Sequence, residues 1–293
     1  MPSLRDLKKR LQGVRTTGQL AGAMRTVSMA KYSKANALLT ACSNYAEAMR
    51  KLAGMVMQAD NAKHTAYDRG EVREAGDDKP LIVLISGNRG LCGGYNHELF
   101  GFFMEKAEQV QQPYLLVTCG RMAGEFCRER GLETVESVEI SDVPTFEEAK
   151  LLSKLLYGYY ERGEASTVTV IHQRFINMLK QEPEARPFIP MNYSIGEKTE
   201  KSEHSDGDTL ILIPDAETVQ DGLVEYCIAV DTYSLLLSCA SGAQAATLMA
   251  MRSAYDNAKT SAQMLETAIN RRRQAKVTES VIETSSDPDN NNF

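Results

Sequence analysis

The chain has 293 residues, of which 43% are hydrophobic and 25% charged, and carries a net charge of −6. These values describe a folded protein of one large or two ordinary domains, and the mild net charge alone excludes little. The six cysteines include no CxxC pair and the four histidines are dispersed, so metal-ligand spacing is absent and a reducing compartment is indicated. The N-terminus lacks the apolar core of a signal peptide.

Charge is unevenly placed. Residues 1–36 hold eight bases (Arg5, Lys8, Lys9, Arg10, Arg15, Arg25, Lys31, Lys34) against one acid, Asp6. Such an arm is either a solvated helix face or a surface for an anionic partner. A first helix is expected from an N-cap at Ser3 to about Gln58. Stepping three and four from Leu4 gives Leu4, Leu7, Leu11, Val14, Gly18, Ala21, Arg25, Ser28, Tyr32, Ala35, Leu39, Cys42, Ala46, Met49, Ala53 and Val56, thirteen of the sixteen apolar. A seam of period near 3.5 sustained this long belongs to a coiled coil.

Residues 59–79 are polar and read as a linker. Period-two and short apolar patterns then begin. Strands are expected at Leu81–Ile85, Tyr114–Thr118, Val135–Ile140 and Thr167–His172, the last continuing toward Met178, with a further extended piece at Phe188–Tyr193. Helices are expected at about Asn96–Gln111, at Gly120–Glu129 and after Thr145, which is placed as an N-cap. Alternating strand and helix predicts a parallel three-layer α/β sheet. The charged stretch Gly196–Asp208 reads as a mobile loop and Leu210–Ile213 as a last short strand.

Pro214 and Asp215 open a final helix, Ala216–Ser285, about 70 residues without proline and on the order of 100 Å long at 1.5 Å per residue. Its seam runs through Met251, Ala254, Ala258, Ser261, Leu265, Ala268, Arg272 and Ala275. The longest uncharged run, Thr232–Met251, contains Ser234, Ser238, Ser241, Gly242, Gln244 and Thr247. It is too polar for a membrane span and reads as helix buried in protein. Arg271, Arg272 and Arg273 fan around the helix, which suggests acidic surfaces on more than one side. The tail 286–293 reads as disordered. The expected segments are thus a coiled-coil helix at 1–58, an α/β domain at 80–213, a second coiled-coil helix at 214–285, and the tail. The simplest arrangement pairs the two terminal helices antiparallel.

Few motifs carry chemistry. The turn Ser86–Asn96 holds Gly87, Gly90, Gly93 and Gly94, but it is not G-x-G-x-x-G and no Gly-Lys-Ser/Thr follows. It reads as a tight strand-to-helix turn requiring positive φ. No carboxylate pair, Ser/His/Asp set or Cys/His set has catalytic spacing. His172, inside a strand, reads as a satisfied structural histidine.

Four stretches together resemble the gamma subunit of the F-type ATP synthase. They are Val14–Lys31, the motif Arg89-Gly-Leu-Cys-Gly-Gly94-Tyr-Asn96, Leu212–Asp215, and Ala250–Ala258 with Arg273–Ala275. The resemblance implies an antiparallel coiled coil of the terminal helices and a Rossmann-like central domain that binds no dinucleotide. It further implies a non-catalytic central stalk without cofactor or metal, which couples proton-driven ring rotation to cycling of the beta catalytic sites. Its implied partners are the alpha and beta subunits of the catalytic hexamer, the epsilon subunit and the c-subunit ring, with no nucleic acid and no membrane span of its own. Met24, Arg273 and Gln274 match rotor–stator contact positions; Arg89, Gly90, Cys92, Gly93 and Gly94 match the central motif. With no transit peptide, the expected location is the cytoplasmic face of a bacterial inner membrane, held peripherally. The chain departs from the family pattern at Asn88, usually Asp, at Thr26, usually Met, and at Ala243 and Thr247, usually Glu and Arg. A polar tail also stands where the family ends in an apolar tip. The competing readings are a coiled-coil scaffold, which would self-associate, and an α/β enzyme with helical arms, which would hold a small ligand.

Overall fold

The computed structural model describes residues 3–57, 79–110, 112–190, 212–213 and 215–285. The expected linker up to residue 78, the loop 196–208 and the tail 286–293 lie outside them. The elements in order are α1 (Leu4–Met57), β1 (Lys79–Ile85), α2 (Tyr95–Gln109), β2 (Leu115–Cys119), α3 (Arg121–Arg130), β3 (Glu136–Val138), α4 (Phe146–Glu161), β4 (Ala165–Asn177), β5 (Lys180–Ile189) and α5 (Ala216–Ser285). Three helices begin on side-chain caps. The Asp6 amide donates to Ser3 Oγ at 3.2 Å. Thr145 and Glu148 form a reciprocal capping box, and the Thr218 amide donates to Asp215 Oδ1 at 2.9 Å. Each cap satisfies a first-turn N–H that the helix cannot pair itself.

The sheet order is β3-β2-β1-β4-β5. The first four strands are parallel, but β5 returns antiparallel beside β4, so the sheet is mixed rather than wholly parallel as the alternation predicted. The return was hidden by Pro183 and Pro187, which look like strand breakers. They are tolerated because β5 is an edge strand. The short strand expected at Leu210–Ile213 is absent at Leu212 and Ile213, and Ile213 is exposed.

The two faces of the sheet carry separate cores. Ile82, Leu84, Leu116 and Ile171 pack with Leu99 and Phe103 of α2 and Ala123 and Cys127 of α3. Leu81, Val83, Ile85, Val117, Val168 and Val170 pack with Leu152 and Leu156 of α4 and with Val224, Ile228, Leu235, Leu236 and Cys239 of α5. The long C-terminal helix is therefore also a layer of the α/β fold. From Cys227 to Met251 no residue of α5 is exposed, as the uncharged run suggested. A window of α5 reaches a mean hydropathy of 1.4, enough to cross a membrane by length and composition, but 61% of that window is buried inside the fold. Asp231 is the one charged residue between Cys227 and Met251. It meets Arg50 at 3.4 Å, and burial pushes its carboxyl above the usual range.

Described residues 3–28 with 247–285 form one compact unit, and those of 29–246 form another. The division falls inside both long helices, so 29–57 and 216–246 belong with the sheet rather than with the helix ends. All sixteen seam positions of α1 are buried or half-buried. In the unit of helix ends, a Cβ on Gly18 would stand 3.2 Å from Ala258, and one on Gly22 would stand 3.4 Å from Tyr255. Arg15 pairs with Glu266 at 2.6 Å, and Arg25 lies over the Tyr255 ring at 4.9 Å. The numbers rise along α1 as they fall along α5, which makes the pair antiparallel. The α5 seam holds at the expected Met251, Ala254, Ala258, Leu265 and Ala268 and also takes in Ala262, Glu266 and Ile269, whereas the expected Ser261, Arg272 and Ala275 are exposed. Arg272 and Ala275 fall in the stretch Asn270–Ile282, in which every residue is exposed.

Candidate functional site: a filled crevice and an uncovered helix end

The turn after β1 lies where α2 and α3 go to one face of the sheet and α4 to the other. In doubly wound sheets the crevice at the carboxyl ends of the strands at this switch point holds ligands. Here α5 lies against it. The space between Ser86, Asn88 and Asp142 on one side and Leu236, Cys239 and Ala243 on the other is ≈ 40 Å³. That admits a few waters, whereas ligand pockets begin at roughly 300 Å³.

The turn is built by backbone conformation and by Asn96. Leu91 has φ 62° and Gly93 φ 61°, so the requirement for positive φ is real but falls partly on a leucine. Asn96 Oδ1 accepts from the Gly87 amide at 3.2 Å, while its Nδ2 donates to the Arg89 carbonyl and to Cys92 Sγ, each at 3.3 Å. Cys92 is buried, and burial pushes its thiol up. Gly94 precedes the first residue of α2, and a Cβ on Gly90 would meet nothing within 4 Å. From β2, Gly120 at φ 87° approaches so closely that a Cβ would lie 2.5 Å from the Ser86 carbonyl oxygen.

Asp142, in the β3–α4 loop, was not singled out by sequence and is the centre of the polar contacts here. Lys31 of α1 donates to its Oδ2, Arg89 Nη2 lies 3.3 Å from the same oxygen, and Asn88 Nδ2 lies 3.3 Å from Oδ1. Asn88 also donates to the Ile140 carbonyl at 2.5 Å and accepts from the Arg121 amide at 3.2 Å. Burial pushes the Asp142 carboxyl up, but the Lys31 and Asn88 hydrogen bonds and the two cations outweigh it and hold the group below its usual range. The departure at position 88 thus has a physical reason. An aspartate there would set two carboxylates against each other and lose the donor to Ile140.

His172 is buried in β4, where burial lowers its pKa and the Gln173 backbone opposes the shift. No group of His, Cys, Asp and Glu able to hold a metal occurs among the described residues.

The other expected contact residues lie in the unit of helix ends. Met24 is half-buried on α1, near the level of Tyr255. Arg273 and Gln274 are exposed on α5, and Arg273 makes no ion pair among the described residues. Met24 and Arg273 are not brought together, because the rise from Tyr255 to Arg273 is about 27 Å. Every residue from Asn270 to Ile282 is exposed, including Val277, Val281 and Ile282 at 56–62%. An open groove of ≈ 640 Å³ beside this stretch is lined by Leu7, Met264, Ala268, Arg271, Arg272 and Ala275.

Residues 3–286 match the family model described as ATP synthase. The chain is 32% identical over 285 residues to the ATP synthase gamma chain of Moorella thermoacetica, covering 97% of each chain. It is 30% identical to that of Rubrobacter xylanophilus, covering 97% of this chain and 96% of the relative. A chain in the Euglena gracilis mitochondrial ATP synthase structure (OSCP/F1/c-ring, rotational state 3) superposes with a TM-score of 0.63 at 15% identity, covering 96% of this chain and 92% of that one.

Proposed function

The chain belongs to the gamma-subunit family of the F-type ATP synthase, a central-stalk subunit that performs no catalysis itself, and we infer how it engages that complex. The paired ends of α1 and α5 stand within the hexamer of alpha and beta subunits. The sheet-bearing unit meets the epsilon subunit and the c-subunit ring, and the complex sits at the cytoplasmic face of a bacterial inner membrane. Proton flow turns the ring and the stalk with it. Because the stalk is asymmetric, its contacts differ with angle, and each beta site is biased in turn toward a different nucleotide affinity.

The observation that supports this reading is the stretch Asn270–Ile282. In proteins most helical stability comes from packing one face against a partner. Among the described residues Asn270–Ile282 is exposed throughout, carries Arg271, Arg272 and Arg273 around its circumference, and exposes three large aliphatic side chains. An enclosing protein surface with acidic groups answers all three features. Arg273 and Gln274 grip a beta-subunit loop by charge-assisted and polar contacts, and Met24 faces the beta subunits lower on the pair. Arg273→Ala should leave unfolding of the isolated chain unchanged and lower coupled ATP synthesis in the reconstituted complex. Unchanged synthesis removes Arg273 from the contact. Self-association of the chain, in place of one copy per ATPase complex, would favour the scaffold reading.

A further inference from the structure

Within the sheet-bearing unit the two long helices are held differently. α5 is a layer of the core, so its orientation is fixed by packing. α1 meets it along Cys42 and Ala46 against Val230 and Leu237, with Leu38 and Leu39 packed beside Tyr233, with the Tyr45 ring edge-on to Tyr226 and with Arg50 on Asp231. All of these contacts lie C-terminal to residue 37 of α1. Two successive residues nearer the N-terminal side tie the helix instead to the sheet and its β3–α4 loop. Lys31 donates to Asp142 in the β3–α4 loop. The Tyr32 ring meets Phe175 of β4 edge-on, with centroids 6.1 Å apart. Successive helical residues point about 100° apart, so α1 is gripped from two directions by two parts of the α/β layer.

Both anchors are themselves fixed. Asp142 is held by Asn88 and Arg89, and Asn88 in turn by the Ile140 carbonyl and the Arg121 amide. The Phe175 amide donates to Ser238 Oγ of α5 at 3.4 Å. Rotation of α1 about its axis would strain both contacts together.

We propose that Lys31–Asp142 and Tyr32–Phe175 form a rotational key, fixing α1 about its own axis so that twist applied to the sheet-bearing unit enters both long helices rather than α5 alone. Lys31 and Tyr32 are positioning residues for torque transfer. The inference rests on the stalk role, and the test separates the two. ATP synthase complexes carrying the Lys31→Met/Tyr32→Ala double variant are immobilised by the hexamer, with a bead on the sheet-bearing unit. ATP-driven rotation persists, while the thermal angular variance during pauses rises about twofold, a modest effect because one half-buried ion pair and one ring contact are individually weak. The single variant Lys31→Arg, which keeps the charge, returns the wild-type variance. Ile82→Val, a core change on the opposite face of the sheet, leaves the variance unchanged and controls for general destabilisation. If the double variant does not assemble, Lys31→Met and Asp142→Asn are read against the same control. Wild-type variance in the key variants, or an equal rise in Ile82→Val, overturns the key. Absence of ATP-driven rotation with the wild-type chain overturns the stalk role instead.

Discussion

Two stretches of α5 are both helical and have opposite surroundings. Cys227–Met251 has no exposed residue, whereas Asn270–Ile282 has no buried one. The first is enclosed because the sheet covers one side and α1 another, and its sequence matches by carrying a single charge, Asp231. The second carries Arg271, Arg272, Arg273, Lys276 and Glu279 and is exposed among the described residues. Stability therefore resides in the sheet-bearing unit, and the exposed end is shaped for contact.

The largest effect that would break this comparison is a core truncation. Leu236→Ala, at a position 1% exposed, should cost about 2–5 kcal/mol. Val281→Ala, at 62% exposure, should stay within about 0.5 kcal/mol. Denaturant unfolding of the isolated chain compares them directly, and similar losses would mean that the exposed end is stabilised within this chain after all.

A smaller effect concerns acid. The folded Asp142 carboxyl titrates below its ordinary 3.8. Its stabilising contribution is therefore complete above that value and fades as pH falls through the lowered one. Asp142→Asn should be less stable than wild type at pH 7, and the gap should narrow at about pH 3. A gap independent of pH would show that the carboxylate charge does not matter there. Asp231 runs the other way. Its raised pKa makes the charged form a cost that grows as pH rises through the folded value, so the two acids partly offset each other near neutrality.

The smallest expected effect is in the helix-end unit. Arg15 and Glu266 pair at 2.6 Å but both side chains are about half exposed. Glu266→Gln should change stability by less than about 1 kcal/mol, with high salt erasing the difference. A larger loss would show that the helix ends depend on this pair more than the exposed geometry indicates.

Much of this fold could be read from residue patterns because the controlling interactions are local. The sixteen-position seam of α1 follows from helical periodicity, and Ser3, Thr145 and Asp215 cap the helices they precede. The β5 return was not legible, since its prolines argue against a strand unless the edge position is known. Asp142 was not legible either. It sits 54 residues from Asn88 and 111 from Lys31 in sequence, and only the sheet brings the three together. The exposed positions Arg273 and Gln274 were reached through family resemblance; their periodicity alone would have put the neighbouring Arg272 in a seam.

The sequence by itself determined where the helices and the first four strands form, because spacing and capping act within a few residues. It also determined that two long helices need partners, because each has an apolar seam. Tertiary structure alone decided that half of α5 is a layer of the sheet, that this layer fills the crevice where a ligand would sit, and that one carboxylate gathers α1, the glycine turn and the β3–α4 loop. Those outcomes depend on contacts between residues far apart in the chain, which no local pattern encodes.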